Sequence, residues 1–547
     1  VCRGGREAGA ALTLGTLRKL DFGVAAAATL LIFYLAFRLC IHAGPLWRDE
    51  INTVNLATQP TYVDVLKLLE WDSAPVLHPS LVRLWSLGSW ADLDFALRFL
   101  GLLMSLVMIL TLWLNARVLG IQPPLLTLAL FGLHAVTLQA IGSVRPYGLG
   151  TLFMLLAFGA TWKLVAAPRA ATFAYAVTTT VLAVQTLYQN AILVLAVLTA
   201  ALVVQYRRRD RKGMAMVLAT GLAAAASLLP YAGIVARSMA WRPLTQVDHD
   251  VPLLLGRLVE VFADASWSMM AVWAVLVAAA AATTVAILRV PSLTQDAPQA
   301  RTQVLFVVLA ATLAVAMYLV FMKVADRFPH DWHFLSLIAL VAIALEVIFA
   351  QVRRLQWART GLAVVALLVI LPLSAAGVAV RHTNVDLVAK YVAHAARPGD
   401  LIVINPWFAG ITFNRYYRGE AAWMTLPPIK DLRIHRYDLL KEWMASPAPL
   451  APVYDAMGRT LQAGHRVWLV GGVVVTPPGH VPPSLPPAPA LVTGWQSLPY
   501  QVSWFVEASY FVQMHAVRWW AVTIPVDQPV DSAENLPLVV AEGWRPT

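Results

Sequence analysis

The chain has 547 residues, of which 59% are hydrophobic and only 13% charged, with a mean hydropathy of +0.66. That balance excludes an ordinary water-soluble globule and leaves a polytopic α-helical membrane protein. Residues 381–547 carry 13 Lys+Arg against 12 Asp+Glu, so the net charge of +11 lies almost wholly before them; it reads as a membrane-topology signal and not as a nucleic-acid surface.

In chain order, about eleven apolar runs are predicted to be spanning helices: 22–42, 99–119, 125–143, 149–165, 173–187, 191–206, 214–235, 267–288, 304–322, 334–350 and 361–380. A helix of about 20 such residues crosses roughly 30 Å of hydrocarbon with its backbone bonded internally. The first run follows Arg18-Lys19 and lacks a small-residue cleavage site, so a retained anchor with a cytoplasmic amino terminus is expected. In this register Arg18-Lys19, Arg117, Lys163 with Arg169, the run 207–212, Arg289 with Arg301, and the group 353–359 all fall on one side, which the positive-inside rule makes cytoplasmic. Residues 76–87 are also apolar. They are only a dozen, include Arg83 and are closed by Gly88, which suits a helix lying in the interface and leaves the stretch 47–98 outside. Cys2 and Cys40 then lie on opposite sides, so no disulfide is expected. Glu346, toward the cytoplasmic end of its span, is expected to pair with a basic loop residue and not to act on substrate.

After residue 380 the sequence turns mixed, nearly neutral and rich in Pro and Trp. Val385, Val388 and Val392 share one face of a predicted helix; Arg397-Pro398-Gly399-Asp400 turns; residues 401–404 read as a buried strand. The pattern recurs as a helix around 453–461, a stop at Gly464 and a strand over 466–470, followed by a Pro-rich loop over 477–489. The expected division is a transmembrane unit over 1–380, with a first external loop at 43–98, and an extracytoplasmic α/β domain over 381–547.

The residues that carry chemistry gather at the external ends of the spans. Asp49 and Glu50 stand side by side just after the first span, in Pro45-Leu46-Trp47-Arg48-Asp49-Glu50. With them fall His78, Arg98, Arg145 with Tyr147, Tyr188 with Gln189 and Asn190, and Lys323, Asp326, Arg327, His330 and His333. A carboxylate that can take a proton, opposite cations that can hold a phosphate, is what displacement of a phosphate leaving group requires. Plainer roles exist: Asp49 as a helix N-cap, and Arg98 and Arg145 as snorkelling anchors. Trp47, Trp71, Trp85 and Trp90 fit an interfacial belt and equally a set of sugar-stacking faces. No glycine-rich phosphate loop follows a strand, which argues against a nucleotide-activated donor and leaves a sugar carried on a polyprenyl phosphate. No cofactor follows from these residues. A divalent metal stays open, although Asp92-Leu93-Asp94 has no strand around it and His330-x-x-His333 lacks further ligands.

On Arg48-Asp49-Glu50, on His78-Pro79-Ser80-Leu81 with Trp85 and Gly88, on Ala96-Leu97-Arg98 and on Arg145-Pro146-Tyr147, the chain resembles the GT-C glycosyltransferases. It looks close to their protein O-mannosyltransferase and lipid A aminoarabinose-transferase branch, over roughly residues 20–350. The resemblance implies a multi-pass enzyme of the plasma (inner) membrane that moves a sugar from a polyprenyl-phosphate carrier to a lipid, glycan or protein acceptor by direct inverting displacement. It makes Asp49 the general base with Glu50 beside it, and Arg98 and Arg327 the donor-phosphate ligands, with Lys323 and His78 near them. Arg145, Tyr147, Tyr188, Asn190 and His330 would line the substrate cavity. The chain departs from the family where His78-Pro79-Ser80-Leu81 replaces a Pro-Pro-Leu-Tyr core and Tyr188-Gln189-Asn190 replaces a His-Tyr pair, which leaves sugar and acceptor open. Three rivals stand beside this reading: a secondary transporter, whose ionisable sites belong near the bilayer midplane, a catalytically silent assembly subunit or lipid-binding scaffold, and an oligosaccharide ligase using a diphosphate-linked donor.

Overall fold

The computed structural model describes residues 2–72, 74–247, 250–290, 297–326, 328–352 and 355–546. Arg353 and Arg354, from the last basic group, lie outside them. Among the described residues nine helices, from Gly15–His42 to Gln356–Gly377, are long and apolar enough to cross a membrane. The other two apolar runs are helical as well. One is Ala170–Thr186, at 17 residues a length of about 25 Å. The other is broken into Leu125–Gly132 and Ala135–Gly142, bent by 72°. At the break His134 is extended, and the carbonyl of Leu133 accepts a hydrogen bond from Ser374 Oγ of the last spanning helix. A neighbouring hydroxyl thus satisfies a carbonyl at the bend, the condition under which a helix can break inside a membrane.

The alternating direction of these helices brings the end of the first one and the starts of Asp94–Leu119, Pro146–Ala166 and Asn190–Arg207 to one end of the bundle, together with the sheet domain. Arg117, Lys163, Arg207 and Arg289 stand at the opposite end. There Glu346, fully buried, receives the Thr127 amide at 2.9 Å and faces Arg359 at 3.6 Å, and Arg359 reaches Asp21 at 2.9 Å. The basic partner of Glu346 comes from the first turn of the last spanning helix, and the three charges clamp the first spanning helix and the last two together. Residues 76–87 do not span: the helix there is Leu77–Ser86, about 15 Å long, with His78, Pro79 and Val82 buried against protein.

Beyond Gly377 the chain forms a five-stranded sheet in the order β2-β1-β3-β5-β4. The strands are β1 (Leu401–Ile404), β2 (Ala422–Thr425), β3 (Arg466–Val470), β4 (Ala516–Val522) and β5 (Leu538–Trp544). β1 runs parallel to β2 and β3, whereas β5 is antiparallel to β3 and β4. β1 is buried along its whole length, as expected for a central strand covered on both faces, and Val385, Val388 and Val392 pack on one of them. On the other face the sheet shares a core with the segment after the first span: Leu46, Ile51, Val54, Val82, Leu97 and Val144 pack among Leu401, Val403, Trp407 and Val467. This shared core fixes the sheet domain over the mouth of the bundle.

Arg359→Ala strands two buried carboxylates, a change that costs about 3–5 kcal/mol when a buried ion pair loses one partner. The melting temperature of the detergent-solubilised variant is therefore expected to fall by many degrees, and an unchanged value refutes the clamp.

Candidate active site

The site is built around the first turn of the helix Arg48–Ala57. Trp47, extended at the N-cap, gives its amide to Glu50 Oε2 at 3.3 Å. The other oxygen of Glu50 accepts from Arg98 Nη1 at 2.5 Å and from the Val144 amide at 3.0 Å. Each nitrogen of Arg98 is engaged: its Nε reaches the Gly44 carbonyl at 3.3 Å and its Nη2 the Pro45 carbonyl at 2.8 Å. Glu50 is fully buried and Arg98 only 3% exposed. The helix Asp94–Leu119 can come this close because Gly101 crosses Gly142 with no room for a side chain; a Cβ there would lie 2.1 Å from the Gly142 carbonyl. Holding Val144 in turn sets its neighbour Arg145, the extended N-cap residue of Pro146–Ala166, where Pro146 at the first helical position is already shaped for the helix.

Asp49, one residue before Glu50 and so about 100° around the helix, faces the other way. It keeps 16% of its side-chain surface exposed. Arg145 Nη1 lies 2.5 Å from Oδ2, Arg48 Nε 3.5 Å from Oδ1, and His435 Nε2 3.8 Å from Oδ1. Burial by itself would raise the Asp49 carboxyl, but Arg145, then Arg48 and His435, outweigh it and hold the group well below the usual carboxylate range. Arg145 is raised in return: burial opposes its charge, and Asp49 more than restores it. Glu50 is held down at about 2, with burial overcome by Arg98, His382 and the Val144 amide.

Of the other expected residues, several gather around Arg145 and Asp49. Arg145 lies over the Tyr147 ring at 5.4 Å, and Tyr147 packs on Trp332 at 6.1 Å. His330 stacks on Trp332 at 4.4 Å, and Trp332 meets Trp47 at 6.0 Å. His78 is buried close enough to feel Arg145. Burial, helped by Arg145, lowers His78 to about 3; burial lowers both His330 and His435 to about 4 against the opposing pull of Asp49, so two neutral imidazoles stand near one ionised carboxylate.

Other expected residues stand elsewhere. Arg98 turns inward to Glu50, not to the opening, and those contacts serve to fix the mouth of the bundle. Glu50 has its oxygens occupied and does not share the position of Asp49. Asn190, fully buried, donates to the Gly150 and Ala183 carbonyls and so joins helices. Tyr188 packs edge-on against Tyr231 at 5.8 Å, its buried hydroxyl without a hydrogen-bond partner among the described residues. Lys323 is exposed in the last turn of Ala297–Ala325. Arg327 lies outside the described residues. Asp94, of the Asp-x-Asp sequence, is taken by Arg415 at 2.8 Å and by the Tyr416 hydroxyl at 2.6 Å. Among the described residues no group of three or more His, Cys, Asp or Glu side chains could hold a metal ion.

Three participants escaped the sequence reading, and all come from beyond residue 380. His435 faces Asp49, His382 reaches Arg98 at 3.4 Å, and Glu534 accepts the Arg48 amide at 3.2 Å. Nothing local marks them, apart from the run of charges around 430–438 that contains His435. Glu534 is fully buried; burial pushes its carboxyl up to about 7 against the pull of Arg48, Thr383 and Thr412.

No family model matches the chain, and no curated protein matches it. Among solved structures it is similar to ArnT from Cupriavidus metallidurans bound to undecaprenyl phosphate, at 14% identity and a TM-score of 0.45, covering 82% of this chain and 92% of that one. The apo state of the same protein gives 13% identity and a TM-score of 0.48 over the same shares. The arabinofuranosyltransferase AftD from Mycobacteria gives 16% and 0.42, covering 95% of this chain and 40% of that one. These likenesses are distant.

Glu534 supplies a test of the geometry. Its folded pKa stands above the unfolded value of 4.5, so between about pH 4.5 and 7 the folded state holds the proton that the unfolded state releases, and stability from this group falls as pH rises. Glu534→Gln is expected to remove that slope. The difference in melting temperature between variant and wild type then shifts in the variant's favour across this window, and parallel curves contradict the assignment.

Proposed function

We propose that the protein is a membrane glycosyltransferase of the GT-C type that moves a sugar from a polyprenyl-phosphate carrier to an acceptor hydroxyl, with the sheet domain and the site on the extracytoplasmic side. The observation that carries this reading is the placement of Asp49. It is an ionised, partly exposed carboxylate at the mouth of an apolar bundle, flanked by Arg145 and Arg48, with aromatic rings beside it. The basic groups at the opposite end support the orientation.

In this reading the acceptor oxygen attacks the anomeric carbon, the bond from that carbon to the phosphate oxygen breaks with inversion, and the polyprenyl phosphate leaves with the electron pair. Arg145 and Arg48 balance the charge on the departing phosphate, and Asp49 takes the proton from the acceptor hydroxyl. A carboxyl held so acidic does not keep that proton. Neutral His435, 3.8 Å away, is the group positioned to receive it. Drawing Arg145 toward the phosphate also loosens its grip on Asp49, so donor binding strengthens the base. Arg98 acts here through Glu50, as the support of the mouth.

Given a polyprenyl-phosphate sugar, the detergent-purified protein is expected to form a new glycosidic bond. Asp49→Asn, which keeps the shape, and Arg145→Ala should each lower the rate roughly a hundredfold or more. Donor turnover without a glycosidic product, or full activity in Asp49→Asn, overturns the reading. His435→Ala is expected to lose about tenfold in kcat with an unchanged donor KM, and to recover in part when imidazole is added; a merely structural histidine gives no such rescue.

A further inference from the structure

The sheet domain carries an open cleft of about 440 Å³ lined by Asn414, Trp423, Lys430, Asp431, Leu432 and Arg433. Trp423 stands on β2, an edge strand, with its indole partly exposed and braced by Phe413 at 5.4 Å. The charges around it are not equivalent. Asp431 is spent on Arg433 at 3.0 Å and on Arg436 at 2.7 Å. Lys430 and Asn414 are exposed, and among the described residues neither side chain has a hydrogen-bond or ion-pair partner.

An indole face, a free carboxamide and an unpaired ammonium around one polar cleft offer three kinds of contact. The indole covers the C–H face of a sugar ring, the amide serves its hydroxyls, and Lys430 with the exposed edge of Arg433 meets an acid group. We propose that this cleft binds an acidic saccharide, one bearing a carboxylate or a phosphate, as the acceptor-side subsite of the transfer reaction. The proposal rests on the transferase reading above. The cleft is tied to the site through its own wall: the Arg433 carbonyl accepts from Asn55 Nδ2 at 2.6 Å, and the His435 amide donates to Asn52 Oδ1 at 2.9 Å. Both asparagines stand on the helix that carries Asp49. From Lys430 to His435 the chain can extend at most about 17 Å, so a saccharide seated here ends within a short oligosaccharide's reach of the base.

The test uses the full-length protein in detergent and three probes by calorimetry: an oligogalacturonide, a mannose 6-phosphate-bearing oligosaccharide, and neutral maltotetraose. At least one acidic probe should bind about tenfold more tightly than maltotetraose, and Trp423→Ala and Lys430→Ala should each weaken it about tenfold. Which acidic probe wins identifies the acid group. Lys430 lies at the surface, so Lys430→Ala is expected to keep its melting temperature and carries the test even where loss of the half-buried Trp423 destabilises the domain. The proposal is overturned when no acidic probe exceeds maltotetraose, when the variants bind like wild type, or when sulfate displaces the probe as well as the free saccharide does. Binding without any sugar transfer by the wild type sinks the transferase reading and leaves the cleft; transfer without binding sinks the cleft alone.

Discussion

The buried ion pair between Glu50 and Arg98 is the constraint on which the mouth of the bundle depends. Taking two charges out of water costs several kcal/mol each, and the mutual attraction offsets this only when the remaining donors and acceptors are also met. Here they are, by the Val144 and Trp47 amides and the Gly44 and Pro45 carbonyls. The pair ties together the helix Arg48–Ala57, the helix Asp94–Leu119 and the turn before Pro146–Ala166. Arg145 follows Val144 and Asp49 precedes Glu50, so the same contacts that anchor the mouth also aim the two exposed charges at each other.

Two adjacent carboxylates thereby acquire different work. Glu50 is sealed and spends its charge on architecture, whereas Asp49 keeps an open flank between guanidinium groups. The difference arises from the rotation of about 100° between successive helical residues and from which neighbours each direction meets. His330 and His435, held neutral by burial near an ionised acid, show the same division, set by environment and not by residue type.

The sheet domain is not an appendage to this arrangement. Its core is continuous with that of the loop helix, and Tyr416 holds the Leu46 amide at 2.8 Å while Arg415 takes Asp94. Through His435, His382 and Glu534 it touches Asp49, Arg98 and Arg48. The cleft beside β2 extends the same logic, because the segment that forms its wall also delivers His435.

The sequence by itself determined the class of the molecule and most of its helices, because hydrocarbon demands long apolar runs and these are legible without knowledge of any partner. It also marked β1 and β3, which are short, buried apart from Arg466 at the start of β3, and preceded by a turn, and it singled out the pair at 49–50. β4 escaped, since an exposed edge strand reading Ala516-Val517-Arg518-Trp519-Trp520 shows no clean alternation. The bend at residues 133–134 escaped because it is permitted by a hydroxyl 241 residues away on another helix. Only the tertiary structure decided that Arg98 serves Glu50 while Arg145 serves Asp49, and that a histidine from the far end of the chain completes the site. An arginine at a helix end looks the same in sequence whether it turns inward or outward; its direction is set by which buried charge the packing leaves uncompensated.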